Sequence, residues 1–405
     1  MSEPRLRLRR LVIHKFGDVL GPTELDFAEG MNVLIGQNGG GKSTLLRLIV
    51  AAIEADAEIF RKYGVDLEAE WVMEQARVNY RLVVEREPVA RPTGAGRGVR
   101  HFRPLVRAGE PGWSIQGTVE AQGRSWSWSW GSSAPRVVDG QFQEAATAEP
   151  PPWPIWWDSE VDGSNPTILA AGSGLCRLDE ADRGFDELVG EPSADDVHLS
   201  SSLSDQGPRA WPLPFVAGTA LDDSRWTATE APWLRRLADL LRANDIVVEP
   251  GEVTRANGVA RTFSASIRIK WPDGSYGPAR DELSFGQRRL LALFWQLHAT
   301  PELPLISDEL TNGFHHGWVR PVLDEIGDRQ SIVAAQNPLL LDELSFDSAD
   351  DVRRAITLCR IRTLHDGRRQ WVWGKPSMEQ AERLFEAWKR GMSYVSELLK
   401  REGLW

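Results

Sequence analysis

The stretch from Gly36 to Thr44 constrains the fold of this chain more than any other part of it. It reads G-Q-N-G-G-G-K-S-T, between the apolar run Met31–Ile35 and the helically spaced apolar residues from Leu45 to Val50. A strand, a glycine-rich turn and a helix in this order match the pattern G-x-x-x-x-G-K-[ST] of a phosphate-binding loop. The alternative, a glycine-rich turn that binds nothing, is disfavoured by the strand before it and the helix after it.

Each residue type in this loop has a chemical task. Glycines let backbone N–H groups converge on phosphate oxygens without a Cβ in the way, and the following helix points the positive end of its dipole at the same anion. The Lys42 ammonium adds a full charge near the β- and γ-phosphates, and the Ser43 hydroxyl is placed to bind Mg²⁺. The loop residues predicted to bind the nucleotide are Gly36, Asn38, Gly39, Gly40, Gly41, Lys42, Ser43 and Thr44.

Composition limits the classes of protein to which the chain can belong. Its 405 residues are enough for two or three domains, or for one large domain with insertions. The net charge of −11 argues against a surface covered with nucleic-acid contacts, and the two cysteines fit a reducing compartment. No apolar run approaches the roughly 20 residues that a membrane span needs, and the first residues lack the apolar region of a secretory signal. We therefore expect a soluble, cytoplasmic protein.

A second motif lies where the apolar segment from Leu303 to Ser307 ends in two adjacent acids, Asp308 and Glu309. In enzymes with a phosphate loop, the first acid helps to hold Mg²⁺ and the second can polarise the attacking water. We therefore predict Asp308 as a metal ligand and Glu309 as a catalytic residue. The alternative is a strand that ends in a solvated acidic pair.

A third motif is the pentad L-S-F-G-Q at residues 283–287, which is followed by a strongly helical apolar run. Ser284 stands at a helix N-cap position, and Gly286 lets another backbone approach closely. The pentad matches the ABC signature L-S-x-G-Q, and it stands just ahead of the acidic strand, as it does in that class of ATPase.

The three motifs in this order resemble the SMC/RecF-like branch of the ABC ATPases, and within it the OLD-like AAA ATPases of bacterial phage-defence operons. Two short segments with strand character, at residues 11–16 and 23–27, lead into the phosphate loop. Residues 308–315 resemble the run from the paired acids into the D-loop, and residues 334–342 resemble the family's T-T-H-S-P-x-L-L-D switch segment.

The resemblance implies an α/β fold, the ABC ATPase head: a P-loop NTPase with a mixed central sheet, an antiparallel β lobe and a helical lobe that carries the signature motif. It implies ATP and Mg²⁺ as cofactors and a head-to-tail homodimer, in which Ser284, Gly286 and Gln287 face the nucleotide bound to the other subunit. We expect an N-terminal lobe at residues 1–180, an insertion and helical region at 181–260, and a C-terminal lobe at 261–405.

The sequence departs from the family pattern in two places. Gln336 replaces the switch histidine, and an amide can hydrogen-bond a γ-phosphate or water but cannot carry a positive charge. We therefore predict Gln336 as a catalytic residue of a slow ATPase. The interval between Lys42 and Ser284 is broken by Pro, Gly and Trp without sustained heptads, so the chain resembles a head without a coiled-coil arm.

Two stretches bear on possible partners. Five arginines and no acid fall in residues 88–109; they are Arg91, Arg97, Arg100, Arg103 and Arg107. This loop is either a solvated hairpin loop or a contact for a phosphate backbone or an acidic partner. Trp126, Trp128 and Trp130 alternate with serines, which places them on one face of a strand, either as packing or as a platform for stacking bases.

Together these features predict an ATPase that dimerises around ATP and acts as a sensor or scaffold. Its output would come from a separate effector protein, a nuclease or another toxic enzyme, in bacterial anti-phage defence. A RecF-like DNA-binding repair clamp is the alternative that the arginine-rich loop favours and the net charge disfavours. The nucleotide-binding subunit of a transporter is a third reading, which the long interval before Ser284 disfavours; we expect no membrane partner.

Overall fold

The structure of the protein is a computed structural model with side chains. It describes residues 5–54, 64–73, 76–84, 113–121, 124–131, 136–138, 176–177, 226–227, 231–250, 254–256, 259–262, 265–278, 282–299, 304–335 and 338–404.

The strands of these residues are numbered in chain order. They are β1 (Leu6–Phe16), β2 (Thr23–Asp26), β3 (Met31–Ile35), β4 (Val65–Met73), β5 (Ala76–Val84), β6 (Trp113–Ala121), β7 (Arg124–Gly131), β8 (Arg136–Val138), β9 (Cys176–Arg177), β10 (Trp226–Thr227), β11 (Asp245–Pro250), β12 (Thr254–Ala256), β13 (Val259–Thr262), β14 (Ala265–Lys270), β15 (Tyr276–Pro278), β16 (Leu305–Asp308), β17 (Ser331–Ala334), β18 (Ile356–Thr363) and β19 (Arg369–Gly374).

The helices are numbered in the same way. They are α1 (Lys42–Glu54), α2 (Pro232–Leu241), α3 (Phe285–Ala299), α4 (His316–Ile326), α5 (Pro338–Glu343), α6 (Ala349–Ala355), α7 (Met378–Arg390) and α8 (Met392–Arg401). Within the described residues, no helix combines the length and the apolar character that crossing a membrane requires.

The chain divides into two compact units. The first comprises Met1–Gly172, Glu302–Pro304 and Asp328–Trp405, and the second comprises Ser173–Pro301 and Leu305–Gly327. The predicted boundaries at residues 180 and 260 stay predictions.

An antiparallel sheet occupies the N-terminal part of the first unit, with its described strands in the order β2-β1-β4-β5-β6-β7-β8. β4 shows why these residues form a strand, because its side chains alternate between buried and half-buried from Val65 to Val72. The buried set is apolar, whereas Asp66 and Glu68 on the other face make ion pairs with Arg81 of β5. This alternation is typical of a sheet with one face on the core and one face toward water.

A mixed sheet in the same unit carries the phosphate loop, and its strands there pair in the order β19-β18-β3-β17. β3 is parallel to both β17 and β18, whereas β18 and β19 are antiparallel. Val33, Leu34 and Ile35 are all buried, as expected for a strand covered on both faces. The buried Asn32 side chain accepts from Ala28 N and donates to Ala28 O and Gly30 O, so its amide is satisfied.

The second unit contains an antiparallel sheet in the order β10-β11-β14-β15, a hairpin of β12 and β13, and the parallel pair β16 and β9. Helix α2 begins with a proline at its first turn and ends at Arg242, which has left-handed φ and ψ. Its buried residues recur at spacings of three and four, which is the pattern of an amphipathic helix; they are Leu234, Leu237, Ala238 and Leu241.

The predicted fold class is confirmed: the protein is α/β, with a mixed sheet and an antiparallel sheet. The strand predicted from Trp126, Trp128 and Trp130 is β7; their side chains lie outside the described set. A capping box begins α7, because the Ser377 hydroxyl accepts from Gln380 N and the Gln380 side chain accepts from Ser377 N.

A buried carboxylate cross-links α2, α3 and α4 of the second unit. Glu325 accepts two hydrogen bonds from Arg236, both at 2.6 Å, and lies 2.6 Å from His298 Nε2. Burial alone would raise the pKa of Glu325, but the hydrogen bonds from His298 and Arg236 outweigh it and lower the pKa from 4.5 to about 2. The carboxylate therefore stabilises the folded state above pH 4.5, and this stabilisation is lost as the pH falls toward 2.

We expect Glu325→Gln to lower the free energy of unfolding at pH 7 by about 1–2 kcal/mol, allowing for the solvent exposure of Arg236. The difference from wild type shrinks as the pH is lowered from 4.5 toward 2. Urea unfolding across this range measures both effects. Asp324→Asn is the matched control on the same helix, because Asp324 pairs with Arg320 where both side chains are 62% exposed. An equal loss in the two variants would contradict the prediction.

Candidate functional site

The phosphate loop joins the end of β3 at Ile35 to the start of α1 at Lys42. Gly40 N donates to Gln37 O at 3.0 Å, which closes a turn inside the loop. Gly39 and Gly41 both have φ of +84°, a region that glycine enters without steric cost. The backbone conformation of the loop therefore favours glycine at positions 39 and 41.

Lys42 is the charged group of the loop. Its side chain is buried, and Nζ donates to Gly36 O at 2.6 Å and to Gln37 O at 3.1 Å. These two carbonyl groups hold the ammonium against the loop that precedes it. Ser43 and Thr44 are half-buried in the first turn of α1, and Asn38 is exposed.

The loop packs directly on the backbone of β18. A methyl group added at Gly36 would overlap the carbonyl oxygen of Cys359, and one at Gly40 would approach the same oxygen to 2.5 Å. Burial raises the pKa of the Cys359 thiol to about 12. The positive charge of Lys42 lowers this pKa, but by less than burial raises it. The thiol is therefore neutral at physiological pH and packs as a small apolar group.

The acidic pair lies in the second unit, at the end of β16. Asp308 is half-buried overall, and its Oδ1 atom is buried with no hydrogen-bond partner within the described residues. Glu309 has φ of +56°, a left-handed conformation that costs a residue with a side chain about 1–2 kcal/mol. Backbone strain of this kind is concentrated at functional positions.

The signature pentad forms the N-terminus of α3, also in the second unit. Gln287 N donates to Ser284 Oγ at 3.4 Å, and Ser284 N donates to Gln287 Oε1 at 2.9 Å. These reciprocal bonds are a capping box, so the N-cap predicted at Ser284 is present. Gly286 is buried, and a methyl group there would overlap the carbonyl oxygen of Gly313. The close backbone approach predicted for this glycine is therefore observed.

Arg289 connects the signature helix to the acidic pair. It is 4% exposed, and its Nη2 atom donates to Asp308 O at 3.1 Å and to Glu309 O at 3.0 Å. The guanidinium therefore holds both carbonyl groups that flank the backbone of Glu309, its own and that of Asp308. Within the second unit, the structure brings the signature helix and the acidic pair together through this side chain.

Comparison with known proteins identifies the first part of the chain. The family model described as an AAA domain matches residues 10–68, which include the second part of β1, β2, β3, the phosphate loop and α1. These residues are therefore similar to an AAA domain. A search of the curated proteins gives no match.

Solved structures similar to this chain include the SMC head domain from Thermotoga maritima, with 11% identity, a TM-score of 0.39, and coverage of 92% of this chain and 99% of that chain. They also include the Smc head domain with an extended coiled coil bound to the C-terminal domain of ScpA, derived from Pyrococcus furiosus. Its identity is 11% and its TM-score is 0.40, and the match covers 94% of this chain and 99% of that chain. The recombination mediator protein RecF–ATPrS is another, with 12% identity, a TM-score of 0.36, and coverage of 93% of this chain and 100% of that chain. The AAA-domain match over residues 10–68 agrees with the predicted resemblance to a P-loop ATPase.

Two predicted features of the ATPase lie outside the described residues, namely Gln336 and the loop from Arg91 to Arg107. Sequence reasoning missed Arg289, because nothing in the sequence separates a buried arginine from its neighbour Arg288. It also missed Trp371 and Trp373, whose indoles contact the phosphate loop. Their spacing of two positions, which places both side chains on one face of a strand, is the signal that the sequence offers.

We expect Gly36→Ala to displace the phosphate loop, because the added methyl group meets the backbone of β18 and not a side chain that can rotate. The free energy of unfolding of the protein falls by about 1–3 kcal/mol, and nucleotide binding is lost. Gly30→Ala is the matched control in the same unit, since a methyl group there meets nothing within 4 Å. Denaturant unfolding and calorimetric titration with ATP measure the two effects. Wild-type affinity in Gly36→Ala would contradict the prediction.

We expect Arg289→Met to lower the free energy of unfolding by about 2–4 kcal/mol, because two carbonyl groups lose a charged donor. Arg289→Lys keeps the charge but not the forked geometry, so its stability is intermediate. Urea unfolding ranks the three proteins. Equal stability of Arg289→Met and wild type would show that these hydrogen bonds do not hold the acidic pair.

Proposed function

We propose that the chain binds and hydrolyses ATP, dimerises head to tail around two ATP·Mg²⁺, and controls a separate effector protein in bacterial anti-phage defence. The observation that carries the nucleotide part is the phosphate loop, in which the buried Lys42 ammonium is held by Gly36 O and Gln37 O. A fixed ammonium beside a glycine backbone is suited to the polyphosphate of ATP.

Two predicted positions each carry an oxygen donor of the kind that Mg²⁺ takes. Mg²⁺ takes oxygen ligands, keeps several waters and shares substrate phosphates, so it needs only one or two protein ligands. Asp308 offers a buried Oδ1 atom without a described partner, and Ser43 offers a hydroxyl in the first turn of α1. We propose these two residues as the Mg²⁺ ligands. When bound, the ion neutralises charge on the phosphates.

Glu309 is the proposed catalytic carboxylate, which orients the attacking water and accepts its proton. Its left-handed backbone and the hydrogen bond from Arg289 to its carbonyl fix the start of the side chain. Gln336 is proposed to contact the γ-phosphate or the water as an uncharged donor. Because it brings no positive charge to the transition state, hydrolysis is slow and ATP acts as a lasting clamp.

The proposed dimer uses the signature motif of one subunit to complete the nucleotide site of the other. Ser284 is exposed at the N-terminus of α3, where the helix dipole favours an anion. Phe285, the next residue, is 51% exposed. Ser284, Gly286 and Gln287 are the residues proposed to face the partner's nucleotide.

Effector control is proposed from the family resemblance alone, and the alternative is a RecF-like DNA clamp. The arginines between Arg91 and Arg107 favour the clamp, because phosphate contacts give salt-dependent DNA binding. DNA binding that falls with salt and is lost when these arginines are changed to glutamate would favour the clamp. Co-purification of a nuclease or toxin with the chain would favour effector control.

We expect Lys42→Ala to abolish ATP binding, because the loop loses its only lysine. Glu309→Gln keeps ATP binding, lowers kcat by about 10²–10⁴-fold, the usual contribution of a general base, and accumulates a dimer. Calorimetry, phosphate release and light scattering at saturating ATP measure affinity, turnover and mass. ATP binding by Lys42→Ala would overturn the assignment of the phosphate loop. A monomeric Glu309→Gln at saturating ATP would overturn the proposed dimer.

A further inference from the structure

Two tryptophans of β19 close against the carbonyl side of the phosphate loop. Trp371 Nε1 donates to Gly39 O at 2.9 Å, and Trp373 Nε1 donates to Gly40 O at 3.0 Å. Because the residues are two positions apart on one strand, both side chains project from the same face. Their rings are stacked, with centroids 5.9 Å apart and an interplanar angle of 11°.

The rest of the first unit holds this tryptophan pair in place. Trp373 is 4% exposed and stands opposite Cys359 in the pairing of β18 with β19. Trp371 N donates to Asp18 O at 3.0 Å, and Trp371 O accepts from Leu20 N at 2.8 Å. The two indole donors are therefore fixed by backbone hydrogen bonds on both sides of β19.

The tryptophan pair and Gly41 are complementary in shape. A methyl group at Gly41 would stand 3.0 Å from Trp373 Cζ2 and Nε1, and 3.1 Å from Trp371 Cδ1. The indoles therefore fill the space that a side chain at this position would need. The glycine allows both its own positive φ and the approach of the two rings.

Hydrogen bonds to the carbonyl groups also orient the N–H groups of the loop. In a trans peptide the C=O and the following N–H point in opposite directions. Gly39 O accepts from Trp371, and Gly40 N points the other way and donates to Gln37 O. Gly40 O accepts from Trp373, so Gly41 N points away from the indoles. An anion bound on the side of the backbone opposite to the indoles needs this orientation of the N–H group.

We propose that Trp371 and Trp373 are positioning residues that set the anion-binding conformation of the phosphate loop. They contact no phosphate themselves. Trp371 holds Gly39 O and so supports the turn in which Gly40 N donates to Gln37 O, and Trp373 holds Gly40 O so that the Gly41 amide faces the polyphosphate of the nucleotide. This inference rests on the proposed nucleotide binding, and it adds a contribution from β19 to a site that the motif places between β3 and α1.

Trp371→Phe and Trp373→Phe test the inference, because phenylalanine keeps an aromatic ring and removes the N–H donor. Trp388→Phe is the matched control: Trp388 Nε1 donates to Leu341 O at 3.0 Å in the same unit, away from the loop. Affinities for Mg²⁺·ATP and for inorganic pyrophosphate are measured by calorimetry, with KM and kcat for ATP. Thermal unfolding without ligand reports the structural cost of each variant.

Each loop variant is expected to bind both ATP and pyrophosphate about tenfold more weakly, the equivalent of one hydrogen bond of ~1.4 kcal/mol. KM for ATP rises by a similar factor while kcat stays near wild type, since ground-state and transition-state binding are affected alike. Trp388→Phe loses thermal stability to a similar degree and keeps wild-type affinity.

Unchanged affinity in both loop variants, or an equal loss in Trp388→Phe, would overturn the inference while the proposed function stands. If wild type binds neither ATP nor pyrophosphate, the proposed function fails first. If Trp373→Phe does not fold, the half-buried Trp371 decides the outcome alone. Loss of ATP binding with unchanged pyrophosphate binding would also contradict the inference, because the tryptophans would then act on the nucleoside.

Discussion

The close contact between the phosphate loop and the carbonyl group of Cys359 is the constraint on which the nucleotide part of the structure depends. Gly36 and Gly40 both lie against that one oxygen atom, so the loop follows the backbone of β18 without an intervening side chain. β3 and β18 pair in parallel beneath it, which fixes where the loop begins and the direction in which it leaves β3. Lys42 then closes the loop from the other end through the carbonyl groups of Gly36 and Gln37.

In the second unit, a strained backbone is held by a buried charge. The left-handed conformation of Glu309 is unfavourable by itself, and the Arg289 guanidinium compensates by binding the carbonyl groups of Asp308 and Glu309. Because Arg289 belongs to the same helix as Ser284, a shift of the signature helix moves the donor that holds the acidic pair. The contact of Gly286 with Gly313 joins the same two segments at a second point.

The sequence predicted the elements that local pattern controls, and it failed where distant residues meet. The phosphate loop, the cap at Ser284 and the capping box at Ser377 each follow from residues within a few positions of one another. Trp373 and Gly40 are hydrogen-bonded although they lie 333 positions apart, and a single sequence contains no signal for that pairing. The conformation of Glu309 was equally hidden, because residues with a side chain rarely adopt positive φ and no local motif marked it.

The pairing of β3 has a consequence for how the chain folds. β3 lies between β17 and β18, so Val33 finds its neighbours Val333 and Ile356 only after some 300 intervening residues have been synthesised. Non-local pairings of this kind are slow to form, and until they form the apolar strand beside the phosphate loop is exposed to other chains. During synthesis, the phosphate-loop motif is therefore complete before the strands that pair with β3 have been made. β3 therefore gains its two partner strands only when the C-terminal part of the chain has been made.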